Sequence, residues 1–466
     1  MKKLVHPFIP NSVPEIKEEM LKEIGAKDVE ELYAQMIPER LRFKRRMNLP
    51  KPLTAEYELK KHVESILSKN KTCKEYLNFL GGGCWQHYVP SVCDVIAQRS
   101  EFLTAYAGEQ YSDLGRYQAL FEFQSMIGEL VGFDVVGVPT YDWGASAGNA
   151  IRMASRITGR REVLLPKIIS PSRLSIIMNF CQPKIMSNHI DVKTVNYDKE
   201  TGMLDLEDLK EQISSKTAAV YFENPSYLGI IEAQGKEISD IAHDKGAESV
   251  VGVDPISLGV LAPPSEYGAD IACGEVQPLG IHMYCGGSLS GFIATRDDEK
   301  YVGEYPPLLI SITDTAIEGE YGFGYCTFER TSYAVREKAK DWTGTTSALW
   351  NIVAGVYMAL MGPQGMKEIG ETIIEKSHYA AKILSEIEGV KVLFPDFFKE
   401  FVVNFDATDK TVFEINKALL DHKIFGGKDI TKEFPELRNS SLYCVTEMHS
   451  KEDLDRLANV MKEVVK

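Results

Sequence analysis

The sequence lacks every spacing that would mark a metal site or a disulfide framework. Its 8 cysteines stand at positions 73, 84, 93, 181, 273, 285, 326 and 444, with no C-x-x-C pair. The 9 histidines are equally scattered, and neither H-x-x-x-H nor H-E-x-x-H occurs. No metal is expected, and isolated thiols fit a reducing cytoplasm better than a secreted scaffold. Long apolar runs are missing too. Prolines and polar residues interrupt the stretch Met1–Ile16, so no secretory signal is expected. The longest apolar stretch, around Trp350–Met361, is too short to span a bilayer and reads as a core helix. Positive charge is in deficit, with 52 basic against 67 acidic residues and a net charge of −15. That sign speaks against nucleic acid or an anionic membrane and leaves small molecules and proteins as partners.

What is present is an ordinary globular composition, 44% hydrophobic and 26% charged over 466 residues, enough for about two to four domains. Pro7, Pro10, Pro14, Pro38, Pro50 and Pro52 punctuate the first part. Helices are expected over Glu15–Ile24 and Ala55–Leu67, in an arm (residues 1–90) that lies on another surface instead of forming a core. Residues 91–365 alternate short β-branched runs with helical stretches. The runs are Val163–Leu165, Val192–Val195, Ala218–Phe222, Ser249–Val253, Ile271–Cys273 and Gly291–Ala294, with helices such as Ser172–Phe180, Leu206–Ile213 and Glu237–Lys245 between several of them. Such alternation predicts an α/β domain with a mostly parallel sheet covered by helices on both faces. After Gly362–Gly365 a long helix (Met366–Ile387), short strands and a closing helix (Glu452–Val465) suggest a smaller α+β domain over 366–466.

Ligands of open α/β sheets sit beyond the carboxyl ends of the strands, and three segments end there. Pro139–Asn149 leads into a helix through Gly144, Ala145, Ser146 and Ala147. Small residues at a helix start admit a phosphate to the backbone N–H groups, or simply allow close packing. Val220–Ser226 ends in Asn224-Pro225, which is also a plain turn signal. Val250–Ile256 ends in Asp254, where a carboxylate either pairs with a pyridinium nitrogen or caps a turn. The order of the three is the layout of a pyridoxal-phosphate (PLP) site of fold type I.

Such an enzyme needs a lysine roughly 20–35 residues after that Asp, to hold the cofactor as an imine. No lysine occurs from residue 246 through residue 299, and Gln277 and Pro278 occupy the expected place. Neither can form an imine, so no catalytic residue of this kind exists in the chain. A stand-alone enzyme would have to use Lys245 or Lys300, and neither lies at the expected strand end.

Val253–Asp270 followed by Gly274–Gly280 resembles the glycine cleavage system P-protein family in its two-subunit form, specifically subunit 1 of glycine dehydrogenase (decarboxylating). The resemblance extends over Glu56–Leu59, Gly81–Pro90, Arg99–Tyr106, Phe121–Met126 and Tyr141-Asp142. It implies that PLP and its lysine belong to a partner subunit, in a heterodimer or heterotetramer, and that this chain closes the site across the interface. It also implies the reaction: decarboxylation of glycine, a small amino acid, with the aminomethyl group passed to lipoamide on a lipoyl carrier protein. His87, Thr104, Tyr106, Tyr141 and Asp142 are carried over as substrate or interface residues. Ser146, Asn224, Asp254 and Gln277 would be the vestige of a cofactor site.

Three segments depart from the family pattern. Ala107–Tyr117 replaces a Thr-Pro-Tyr-Gln and Ser-Gln-Gly stretch. Tyr305–Leu309 replaces Met-Pro-Gly-Arg-Leu and loses its arginine, and Ala339–Ser347 brings in Trp342. Loops drift freely, yet charge and volume in a small pocket also set specificity. The alternatives are therefore a paralogous pair acting on another amino acid or amine, and a non-catalytic scaffold or regulatory subunit.

Overall fold

The computed structural model describes residues 8–9, 12–45, 47–103, 114–284, 286–287, 289–306, 309–332, 339–341 and 347–466. Two compact units divide the chain, 1–71 and 72–466. The first holds three helices, α1 (Pro14–Glu23), α2 (Val29–Met36) and α3 (Glu56–Leu67). Proline at the first turn starts α1, and Asp28 caps α2 by accepting the Glu31 N–H at 2.9 Å. None of the three buries a residue, and Met20, Ile24, Ile66 and Leu67 are exposed. Among the described residues of this unit no apolar side chain is buried.

The second unit opens with β1 (Leu77–Asn78), α4 (Ser91–Ala97) and α5 (Tyr117–Val131). Strand–helix alternation follows: β2 (Val135–Thr140), α6 (Trp143–Thr158), β3 (Glu162–Pro166), α7 (Pro171–Cys181), β4 (Asp191–Val195), α8 (Leu206–Gln212), β5 (Thr217–Asn224), α9 (Gly235–Asp244), β6 (Glu248–Val253), β7 (Ile271–Glu275) and β8 (Gly291–Thr295). These strands form one sheet in the order β2-β8-β7-β6-β5-β3-β4. Strands β7 to β4 in that order run parallel, and β8 lies antiparallel between β7 and β2. Strands β3, β5, β6, β7 and β8 are buried throughout, which is why they read as largely apolar runs, whereas the edge strand β4 is mostly exposed. Val163, Leu165, Tyr221 and Val250 pack in one core with Ile151 of α6 and Ile177 of α7. Leu164, Val220, Phe222 and Val251 pack in another with Phe123 of α5.

Beyond β8 come α10 (Glu299–Val302) and the hairpin β9 (Ile310–Asp314)–β10 (Tyr321–Tyr325), then α11 (Ala348–Ser385). Gly362, at φ 61°, breaks the helical geometry of α11 just before Pro363, because proline cannot donate and glycine alone takes that backbone cheaply. The remaining elements are β11 (Lys391–Leu393), β12 (Glu400–Asn404), α12 (Val412–Asp421), β13 (Ile424–Phe425), β14 (Lys428–Asp429), β15 (Ser440–Cys444) and α13 (Lys451–Val464). Their antiparallel sheet has the order β11-β12-β15-β14. Capping boxes at Thr411/Glu414 and Ser450/Asp453 start α12 and α13. Strand β1 pairs with β13, Cys444 N–H donates to Phe79 O at 2.9 Å, and Leu80 bridges to Tyr443. Residues 77–80 therefore ride on the second sheet and deliver the segment 81–88 to the carboxyl ends of the parallel strands.

Candidate functional site

Three elements converge at those strand ends: the turn after β6, the start of α6, and the residues entering β12. Asp254 follows β6, and Lys399 precedes β12. Their charged groups meet at 2.6 Å with side chains 4% and 3% exposed. The ammonium also donates to His87 Nε2 at 3.1 Å and lies 3.5 Å from the centre of the Trp85 ring. The buried cation thus has a carboxylate as ion-pair partner, an imidazole nitrogen as hydrogen-bond acceptor and an aromatic face over it. With Nε2 accepting, the ring's proton sits on Nδ1, 2.8 Å from Glu447 Oε2. The other Glu447 oxygen accepts the Tyr88 N–H at 2.7 Å. Burial alone would raise the Glu447 carboxyl, but His87 and the Tyr88 N–H hold it down at about 2.

The start of α6 is equally self-contained. Asp142 is its N-cap and accepts the Ala145 N–H at 2.6 Å. Glu275, the last residue of β7, accepts the Trp143 N–H at 3.3 Å and the Gln277 and Ser290 N–H groups at 3.2 Å each. Burial, with Asp142 nearby, pushes Glu275 up to about 8 against those donors. The small residues that open α6 serve packing: a Cβ on Gly144 would stand 2.8 Å from Ile176, and one on Gly148 2.6 Å from Phe180. Beside them Arg173 of α7 pairs with Glu223 at 2.7 Å and lies 3.7 Å from the centre of the Trp143 ring.

The sequence-derived residues fall in several places. Asp254 and Gln277 belong to the site. Gln277 turns its amide onto the segment 81–88, donating to Trp85 O at 3.2 Å and accepting Trp85 N–H at 3.4 Å. It also donates to Ile281 O at 2.9 Å. Pro278 follows in the turn after β7. His87 points inward to Lys399, not outward. Ser146 is fully buried, its hydroxyl bonded to Thr140 and to Asp142 O. Asn224 closes onto the backbone of Glu232, accepting its N–H at 3.1 Å. Tyr141 is exposed beside the capping Asp142. Thr104 and Tyr106 lie outside the described residues. Lys300 stands at the opposite end of the sheet, paired with Glu248 at the start of β6, so it cannot reach Asp254.

Sequence reasoning missed Lys399, Trp85, Trp143, Arg173, Glu223 and Glu447. One signal was available: Lys399-Glu400 interrupts the run Phe397, Phe398, Phe401, Val402, Val403, and charge inside such a run marks a buried partner. Of the departing segments, 107–113, 307–308 and 342–346, with Trp342, lie outside the described residues. The parts that are described serve as anchors. Tyr305 is buried and donates to Val135 O at 3.0 Å. Asp341 binds Arg152 at 2.7 Å and Arg156 at 2.6 Å.

PLP does not fit this constellation. The carboxylate expected to meet its ring nitrogen, Asp254, already holds Lys399, the first N–H groups of α6 are taken by Asp142 and Glu275, and Gln277 stands where the imine lysine is expected. The void bounded by Trp85, Trp143, Arg173, Asp254 and Lys399 measures about 10 Å³, about the room one water needs.

A model of the glycine cleavage system P-protein matches residues 6–461. The chain belongs to the glycine cleavage system P-protein family. Among curated relatives, the probable glycine dehydrogenase (decarboxylating) subunit 1 of Staphylothermus marinus is 39% identical over 469 residues, covering 99% of this chain and 98% of the relative. The crystal structure of a glycine decarboxylase (P-protein) in inhibitor-bound form superposes with a TM-score of 0.81 at 32% identity, covering 100% of both chains. A sphingosine-1-phosphate lyase of Burkholderia pseudomallei shares the fold, with a TM-score of 0.62 at 15% identity over 93% of this chain and 94% of the other. The P-protein fold here is thus fold type I of the PLP enzymes.

Among the described residues no group of histidines, cysteines and carboxylates could hold a metal, and no helix is long and apolar enough to cross a membrane.

Proposed function

We propose that this chain is the lysine-less subunit of a two-subunit glycine decarboxylase. PLP is held by a lysine-bearing partner subunit, glycine is decarboxylated there, and the aminomethyl group passes to a lipoyl carrier protein. The observation that carries this reading is the closed site: Gln277 in the lysine's place and Asp254 already paired with Lys399. PLP, bound on the partner, supplies the electron sink for loss of CO2. This chain's contribution is shape. Gln277, Glu400 and Glu447 hold the backbone of 82–88, so the exposed Tyr88 and Tyr141 stand on fixed supports at the same end of the sheet. Relatives at this identity, matched over nearly their whole length, favour glycine over another amino acid.

The test is co-expression with a lysine-bearing P-protein subunit, purification, and absorbance with and without glycine. A yellow complex whose spectrum shifts on adding glycine, from a chain that is colourless alone, is expected. A yellow complex indifferent to glycine would point to another amino acid. Failure to form any complex would overturn the proposal.

A further inference from the structure

A cofactor site that loses its lysine could simply stand open, its aspartate wet and its helix start free for an anion. This one does not. An aspartate 4% exposed would be a buried, unpaired carboxylate without Lys399, and that is a severe penalty in a site with room for about one water at most. Lys399 comes 145 positions later in the chain, at the start of an inner strand of a different sheet. Its ammonium then reaches past Asp254 to His87, and through His87 to Glu447, which holds the Tyr88 N–H. Its neighbour Glu400 accepts the Gly82 N–H at 2.6 Å, and the ring of Trp85, held by Gln277 at both backbone groups, covers the cation. Among the described residues, the segment 82–88 has no backbone ladder of its own. The N–H groups of Gly82, Trp85 and Tyr88 all go to side chains of this one network.

We propose that Lys399 stands in for the cofactor's ring nitrogen: it is the permanent counter-cation of Asp254 and the positioning residue that fixes segment 82–88. Loss of the imine lysine is then only part of the change. The site is closed because the chain occupies it, and restoring a lysine at 277 does not reopen it. This goes beyond the subunit reading, since it concerns this chain alone and holds with or without a partner.

Two measurements on the full chain test it. In the first, the Gln277→Lys variant is incubated with excess pyridoxal phosphate, reduced with borohydride and digested, and the peptide carrying position 277 is weighed. No adduct is expected there. A stoichiometric adduct at 277 would show that only the lysine was missing and would overturn the occupancy. In the second, hydrogen exchange of the 82–88 amides is followed in Lys399→Met and in Asp254→Asn/Lys399→Met. Exchange at Gly82, Trp85 and Tyr88 should quicken at least tenfold in both variants, while the β5 and β6 amides of the double variant stay as slow as in the native chain. Unchanged exchange in Lys399→Met would remove the positioning role. So would a double variant that regains native protection over 82–88, because Lys399 would then do no more than neutralise Asp254.

Discussion

At the carboxyl ends of the parallel strands, Asp254 meets Lys399 and His87 meets Glu447, with the first three side chains at most 4% exposed. At the amino ends of the same strands, Glu248 meets Lys300, and Asp270 meets Arg296 at 2.8 Å and His243 at 2.7 Å. The carboxylates are similarly sheltered at both ends, but their amino-end partners His243, Lys300 and Arg296 are 42–49% exposed. The amino-end pairs also have a neutral helper: Tyr301 OH donates to Glu248 at 2.8 Å and lies 3.1 Å from Asp270. One sheet therefore carries two charge networks that differ mainly in where their cations stand. A dry cation cannot be replaced by water, whereas a wet one can. The dry network sits at the carboxyl ends of the strands, where open α/β sheets take their ligands, and the wet one sits at the amino ends.

The largest break in that contrast should come from Lys399→Met, which strands Asp254. An uncompensated buried charge costs about 3–5 kcal/mol, read as a lower urea midpoint. Asp254→Asn/Lys399→Met removes both charges and should recover most of that loss. A double variant as unstable as the single one would mean that packing, not charge, holds the site.

Glu447 supplies the next effect and a pH signature. Its carboxyl falls below the ordinary 4.5 in the folded chain, held down by hydrogen bonds from His87 and the Tyr88 N–H, a stabilisation on the order of 1–3 kcal/mol. Because the folded value is the lower one, this stabilisation is complete above pH 4.5 and is lost as pH falls toward 2. Glu447→Gln should lower stability at neutral pH and flatten its decline across that acid window. Parallel acid limbs for the two proteins would refute the assignment.

Gln277→Ala comes third. It leaves Trp85 N–H and the Trp85 and Ile281 carbonyls without their partner in a buried place, a loss of about 1–3 kcal/mol. A changed near-ultraviolet tryptophan signal should accompany the drop in midpoint, since the ring of Trp85 covers Lys399.

These networks also explain what could be read in advance. The parallel sheet was legible because its inner strands are buried on both faces, so Val163–Leu165 and Ser249–Val253 spell largely apolar runs. Asp254 and Gln277 were legible because strand order and a missing lysine are properties of one stretch of chain. Their partners were not. Lys399 and Glu447 come from a second sheet, and nothing in local spacing says that residue 399 meets residue 254 or that residue 447 meets residue 87. His87 was carried over as a substrate or interface residue, and its inward direction could not be read because it depends on those same distant partners. The Gly144–Ala147 stretch shows the converse: its composition suits a phosphate and a neighbouring helix alike, and only the positions of Ile176 and Phe180 decide for the helix.

The smallest effect sharpens the comparison most. Lys300→Met removes the cation of Glu248 as Lys399→Met removes that of Asp254, with the same lost charge and the same new side chain. Lys300 is 45% exposed, so water and counter-ions replace much of what it gave, and Tyr301 still donates to the carboxylate. The expected cost is below about 1 kcal/mol, shrinking further in 1 M salt, where charges screen one another within about 3 Å. The Lys399→Met deficit should persist in the same salt, because no ion enters a void of about 10 Å³. Equal costs at the two lysines, or equal salt dependence, would mean that burial of the cation does not separate the two ends of the sheet.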